Sequence, residues 1–505
     1  MNLRATLLRT KTVEQSIAET DEPEHRLKKD LGVVDLIVFG VGVIIGAGIF
    51  VITGTVAKSN AGPAITISFA IAGLACALAA LCYAEFASTV PVAGSAYTFS
   101  YATFGELIAW IIGWDLALEF TIGAAALSTS FSGYFQEVVE GTPFEVPAQL
   151  GSAAGGTIDL PAVLIALLVT GVLIAGIKFS SRLNQVIVAV KLLVIAAVIL
   201  FGVSHIDFGN YSPFVPESKP APDTEAGFMD TTLITWIFGL DPAVYGVAGV
   251  ISAASIVFFA FIGFDILATT AEETRNPQRD IPRGILGSLA IVTVLYIAVS
   301  LVITGMQNYT DIDALDAAPL ATAFDAVGMD WMGRLIAIGA CIGLIVVVMI
   351  LMLGQTRVAF AMARDGLLPP ALAKVHPTFR TPWVITAGTG VAVAVIGGLV
   401  DLETLVHLVS IGTLFAFVLV SLGVVVLRRT RPDLPRAFRT PAVWVVAVGS
   451  ALLCLYLMLN LTGGTWVRFL VWMAIGIVFY AAYGRTHSRL ARRARDAEVE
   501  AQGVA

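Results

Sequence analysis

The chain has 505 residues, 57% of them hydrophobic and only 13% charged, with a mean hydropathy of +0.87 and a net charge of −7. Soluble domains carry about a quarter charged residues, so this is the composition of an all-α polytopic membrane protein. The polar tails, residues 1–31 and 485–505, are too short for a separate catalytic domain. No short apolar core with a cleavage site stands at the N-terminus, so no removable signal peptide is expected. The four cysteines, Cys76, Cys82, Cys341 and Cys454, fall in apolar runs without metal-ligand spacing. They read as small buried hydrophobes, and no metal site is expected.

Twelve apolar segments follow in chain order: 32–57 (segment 1), 63–87 (2), 105–136 (3), 160–179 (4), 183–204 (5), 246–271 (6), 284–308 (7), 331–363 (8), 382–400 (9), 403–428 (10), 441–462 (11) and 465–484 (12). A bilayer core of about 30 Å needs roughly twenty helical residues at 1.5 Å each, so all are expected to span. Segments 3 and 8 are longer and are expected to tilt or to extend into water. Of the 30 Lys and Arg residues, 25 lie in the two tails, the 4–5, 6–7 and 10–11 loops, and the end of segment 8 with the loop after it. On the other side stand only Lys58, Lys219, Arg334 and Arg468, while Lys191 lies inside segment 5. Basic residues favour the cytoplasmic side, which predicts a cytoplasmic-membrane protein with both termini inside. The loop 205–245 carries Pro213, Pro216, Pro220 and Pro222 and then Leu233–Leu240, too short to span and expected to be an interfacial helix. The loop with Asp311, Asp313 and Asp316 is a place for another. Between segments 2 and 3, Pro91 to Tyr97 reads as a small-residue turn.

Segment 1 contains Gly42-Val-Ile-Ile-Gly46-Ala-Gly48-Ile-Phe50, three glycines in the middle of an apolar span. They serve either close helix packing or a backbone that leaves helical geometry, which membranes tolerate only where it is buried in protein or lines a cavity. Segment 6 repeats the pattern: Phe258-Phe-Ala-Phe-Ile-Gly263-Phe-Asp265 places a glycine and a carboxylate near mid-span. These are the first segments of two five-segment halves, 32–204 and 246–428, with segments 11 and 12 (429–484) added. Five being odd, the halves cross in opposite senses. Paired discontinuous helices at matching positions of inverted halves point to a transporter's midplane site. Freed N–H groups suit a carboxylate and freed carbonyls suit an ammonium, so the pair matches the head group of an α-amino acid.

These motifs, with Trp110 to Phe120, Glu272 to Pro282, Gly354-Gln-Thr-Arg357 and Met362 to Pro369, resemble the amino acid–polyamine–organocation superfamily. Within it, the chain resembles prokaryotic relatives of the cationic amino acid transporters. The resemblance implies the leucine-transporter fold, a five-plus-five inverted repeat with the substrate between segments 1, 3, 6, 8 and 10. It implies that backbone amides of Gly46, Ala47 and Gly48 hold the substrate carboxylate. Carbonyls of Ile44, Phe259, Ala260 and Ile262 would hold its ammonium. Relatives with Ser or Thr at the position of Ala47 add a hydroxyl that is missing here.

Lys191 sits eight residues into segment 5, about 12 Å along the axis, too deep for easy snorkelling. Facing the bundle interior, where burial works against its charged form, it reads as a proton relay or fixed counter-charge. In the resemblance, some prokaryotic relatives place a lysine where sodium-driven ones bind the ion. Segment 8 from Cys341 to Leu353 has no Ser, Thr, Asn or Asp to ligate sodium, which weighs for protons. Asp115 and Glu119, one helical turn apart, are with Asp265 the remaining acids expected inside the membrane. They read as proton acceptors, partners of Lys191 or gates, or as a structural pair. His205 and His407 lie near segment ends and read as interfacial. Arg275, Arg279, Arg357 and Arg364 suit a gate at the inner face or a plain basic surface.

The expectation is therefore not an enzyme but a transporter importing α-amino acids by proton symport with alternating access, or an amino acid exchanger without net proton coupling. A substrate-gated channel or receptor is the reading from another class. The partners expected are substrate and bilayer, with no nucleic acid and no obligate protein partner. A proton gradient takes the place of any cofactor. The side chain that the site admits, cationic or neutral, is left open.

Overall fold

The computed structural model describes residues 30–90, 95–152, 156–176, 181–220, 227–240, 243–313 and 316–492. Most of the N-terminal tail, the tail after Arg492, Pro91 to Gly94 of the 2–3 turn, and Pro222 lie outside the described residues.

Over their described residues all twelve apolar segments are mainly helical, which satisfies most backbone N–H and C=O groups within each segment, as a lipid environment demands. Among the described residues, eight helical stretches are long and apolar enough to cross a membrane. Four apolar helices are shorter: Val33–Ile44, Leu160–Ile174, Trp383–Leu399 and Val443–Leu459. Segments 3 and 8 are the long helices Glu106–Val139 and Asp330–Arg364. Gly48–Thr89 runs on as 42 residues, but it is interrupted at Gly62, whose φ of +58° separates the second half of segment 1 from segment 2. The interfacial stretch forms helix Leu233–Phe238, and the acidic 7–8 loop holds helix Pro319–Asp325. A helix Ser95–Thr103, which the small-residue turn did not suggest, leads into segment 3.

The segments pack in an order that repeats. Segment 3 lies along 8, 2 along 7 and 4 along 9. Segment 1 packs on 7 as 6 packs on 2, 10 on 3 as 5 on 8, and 3 on 9 as 8 on 4. Exchanging segments 1–5 for 6–10 thus returns the same set of neighbours. Segments 11 and 12 lie outside this set and pack on segment 10.

At the end of the bundle that carries the arginines, the two broken segments are tied together. The N–H groups of Asp30 and Leu31 donate to the Glu273 carbonyl at 3.0 Å, and that of Arg275 donates to Leu31. The Glu273 carboxylate pairs with Arg357 of segment 8 at 2.8 Å. Nearby lies an acid absent from the expected set. Glu85 is in segment 2 and only 2% exposed. It accepts two hydrogen bonds from Arg428 at 2.7 and 2.6 Å and one from the Thr440 N–H at 2.8 Å. Asp115, Glu119 and Asp265 are therefore not the only acids within the apolar segments. Part of the arginine-rich 10–11 region serves as the counter-charge of a buried carboxylate rather than as plain surface.

Candidate functional site

Segment 1 stops being helical after Ile44, where Ile45 adopts an extended ψ of 94°. Helix resumes beyond Gly46, first with the wide turns of a π-helix over Gly48–Ile52. Segment 6 breaks at Ile262, with ψ of 141°, and Gly263, with φ of +114°, between a 3₁₀ turn at Phe258–Phe261 and a second 3₁₀ stretch at Phe264–Glu273. Only glycine is at ease in the Gly263 conformation, and a Cβ there would stand 2.6 Å from Val43 Cγ1. The two breaks cross at contact distance: a Cβ on Gly48 would stand 2.1 Å from the Cβ of Ala260. Close packing and an unwound backbone, which the glycines left as alternatives, occur together.

Ile44, Gly46, Ala47, Gly48, Phe259, Ala260 and Ile262 all line one cavity between the breaks. It is closed by Gly123 and Leu127 of segment 3 and by Val347 and Leu351 of segment 8. Segment 10, which the resemblance placed at the site, contributes no lining residue; its Phe417 packs behind, against Phe258 and Phe264. Among the described residues, no ionisable side chain lines the cavity. Its volume is about 20 Å³, room for one water molecule. The N–H groups opening the resumed helix have no preceding turn to bond to, and the cavity is where they lie.

The carbonyls at the breaks have partners. Lys191, 1% exposed, donates from Nζ to the carbonyls of Gly42 and Ile45, both at 2.9 Å. A cation on the last carbonyls of a helix is favoured by both hydrogen bonding and the helix dipole. Its stem lies on Gly343 of segment 8, where a Cβ would stand 2.4 Å from Lys191 Cε. Tyr296 of segment 7 was not singled out from the sequence. Its hydroxyl lies 2.7 Å from the carbonyl of Ile44 and 2.7 Å from that of Ala260, joining the two breaks. A tyrosine in an apolar run looks like core, and no sequence signal separates it.

The acids form a second group beside the cavity. Asp115, Glu119 and Asp265 are each at most 1% exposed. Glu119 lies within electrostatic reach of Asp265 and Asp115. Asp265 stands in the first turn of the Phe264–Glu273 stretch, where the N–H groups that open a helix favour an acid. Asp115 lies against Gly412 of segment 10. The hydrogen bonds of Lys191 go to carbonyls and not to these acids.

At the end of the bundle away from the arginines, a cleft of about 600 Å³ runs between the second half of segment 1, segments 3 and 10 and the 7–8 loop. His407 lines it, whereas His205 is exposed. So does Asp316, where burial raises the carboxyl pKa against the opposing effect of bonds from Thr322 and the Ala318 N–H.

The amino acid permease family profile matches residues 31–480. The chain is 45% identical to the branched-chain amino acid permease BcaP of Bacillus subtilis over 494 residues, covering 97% of this chain and 100% of that one. It is 44% identical to the methylthioribose transporter of the same organism, over 96% of this chain and 99% of the relative. It is 38% identical to the chloroplastic cationic amino acid transporter 9 of Arabidopsis thaliana, over 85% of this chain and 72% of that one. These relatives are named as permeases or transporters and not as enzymes. With the broken segments and their shared cavity in place, the chain belongs to the amino acid permease family of the amino acid–polyamine–organocation superfamily.

Proposed function

We propose that the protein imports neutral α-amino acids with apolar side chains across the cytoplasmic membrane, by proton symport and alternating access. The observation that carries this reading is the single cavity lined by the seven residues at the two breaks, with an apolar wall of Leu127, Val347 and Leu351. The carboxylate would lie on the N–H groups of Gly46, Ala47 and Gly48, and the ammonium among the carbonyls of Ile44, Phe259, Ala260 and Ile262. With no acid among the described lining residues, a cationic side chain would touch no carboxylate, since Asp115, Glu119 and Asp265 stand outside the lining, and burying it unpaired would be costly. The name of the branched-chain relative agrees with this.

Segments 1–5 and 6–10 act in this proposal as an inverted repeat, segments 11 and 12 bring the spans to twelve, and both tails are cytoplasmic; the recurring set of neighbours and the basic loops support it. The cleft away from the arginines is then the outer entrance. The tie of Leu31 and Arg275, with the Glu273–Arg357 pair, closes the inner side. Lys191 couples the steps. Protonated, it holds the Gly42 and Ile45 carbonyls; on losing a proton its hold weakens and the first half of segment 1 is released. Its ammonium fills the place where sodium would need oxygen ligands, which supports protons as the driving ion.

Labelled leucine uptake into proteoliposomes tests this. For one proton per substrate, an inward gradient of one pH unit drives about tenfold accumulation, and Lys191→Ala should lose it. Uptake indifferent to the gradient in both proteins, with intact counterflow, would establish the exchanger. Competition by valine and isoleucine but not by arginine is expected. Inhibition by methylthioribose alone would overturn the amino acid reading.

A further inference from the structure

A second concavity of about 820 Å³ opens at the arginine-bearing end, between segments 4, 8 and 9 and the chain that follows segment 12. Its basic lining is Arg357, Arg364, Arg380, Arg489 and Arg492 with His487, and among the described residues it includes no carboxylate. Among the described residues only Arg357 of this group has an ion pair, with Glu273. The Nε of Arg364 is buried without a hydrogen-bond partner. The other wall is apolar, formed by Leu173, Leu353, Phe360 and Val375. Leu353 and Val375 are 37% and 47% exposed, so the apolar wall continues onto the outside of the bundle. Trp383 stands 40% exposed just beyond the lining residue Pro382, as aromatic residues do at headgroup depth.

The walls are fixed to one another. The Arg489 N–H donates to the Asp365 carbonyl at 2.9 Å, and Thr381 Oγ1 donates to the Ile174 carbonyl at 2.7 Å. A Cβ on Gly366 would stand 2.5 Å from the His487 carbonyl oxygen, so only glycine lets the two strands of chain meet there.

We propose that this cleft binds the phosphate headgroup of an anionic phospholipid of the inner leaflet, with an acyl chain lying along the apolar wall. Guanidinium groups gathered without carboxylates repel one another unless an anion joins them, and their planar donor forks match phosphate oxygens. Basic pockets between spanning helices on the cytoplasmic side are suited to such headgroups. The apolar wall selects a lipid over free phosphate, because a small anion leaves it uncovered. The bound headgroup joins the end of segment 8 to the start of segment 9 and the C-terminal stretch, so it steadies the inner face that alternating access has to move.

Native mass spectrometry of the full-length protein in detergent tests the proposal, with phosphatidylglycerol, phosphatidylcholine and inorganic phosphate as probes. Phosphatidylglycerol should be retained under conditions that strip phosphatidylcholine, and excess inorganic phosphate should not displace it. Each exposed arginine near a headgroup is worth about fivefold in affinity. Arg380→Gln/Arg489→Gln should therefore weaken phosphatidylglycerol binding on the order of 25-fold and Arg492→Gln about fivefold, with unchanged melting; Arg334→Gln, on the opposite side, should do neither. Equal retention of the two lipids, or undiminished binding by both variants, overturns the proposal. Displacement of lipid by inorganic phosphate assigns the cleft to a free anion and overturns it as well.

Discussion

The two breaks look alike in the sequence and are held in different ways. In segment 6 the departure from helix is built into the backbone. Gly263 has a φ of +114° that other residues resist, and Asp265 stands in the first turn of the stretch that follows, where an acid suits the helix dipole. In segment 1 no residue at the break has positive φ. Its freed carbonyls are held from outside, by Lys191 of segment 5 and Tyr296 of segment 7. One break is fixed by its own backbone, and the other depends on partners in other segments, of which Lys191 is, under the proposed function, the one that protonation alters. A transporter has use for both, a fixed hinge and a releasable one.

Gly263→Ala attacks the fixed hinge and should have the largest effect. Left-handed strain of about 1–2 kcal/mol adds to overpacking against Val43 of about 1–3 kcal/mol. A melting transition in detergent lowered by many degrees, together with lost uptake, is the expected result; near-wild-type melting would mean that segment 6 is not held by its glycine. Lys191→Met removes the outside partner, leaving the carbonyls of Gly42 and Ile45 short of donors at about 1–3 kcal/mol each. Part of this is recovered if segment 1 relaxes, so the loss of melting should be smaller than for Gly263→Ala. Cysteine-accessibility labelling of the first half of segment 1 should rise, and an unchanged labelling rate would argue against a releasable hinge. Tyr296→Phe removes one hydroxyl shared by both breaks, worth about 1 kcal/mol; the concentration for half-maximal leucine uptake should move by severalfold while maximal rate changes less. Asp265→Asn keeps acceptor oxygen at the turn and costs about 0.3–1 kcal/mol of helix-dipole interaction. That shift should be barely resolved in melting, and a large one would give Asp265 more than a capping role.

Much of this was legible because membranes make exceptions conspicuous. Glycines inside apolar runs mark Gly46, Gly48 and Gly263, and a lysine within segment 5 can only be a cost or a device. The cavity residues follow from backbone position, which sequence motifs carry well. Tyr296 was hidden because an aromatic belongs in an apolar helix whether or not its hydroxyl has work, and its partners lie 252 and 36 residues away. Glu85 was hidden by its place near the end of segment 2, with its arginine 343 residues on. The retreat of segment 10 from the cavity depends on how Phe417 packs with Phe258 and Phe264, a matter of three-dimensional fit that spacing does not encode.

The Tyr296 hydroxyl has a further consequence. It stands at the same distance from two carbonyl oxygens but owns a single hydrogen. At any instant the hydroxyl serves one of the two acceptors and not the other. A primary ammonium brings three hydrogens to this shortage, whereas each N-methyl group removes one. Under the proposed reading, affinity should fall stepwise from an amino acid to its N-methyl and N,N-dimethyl forms, and a betaine, with no N–H left, should be refused even though its charge is the same.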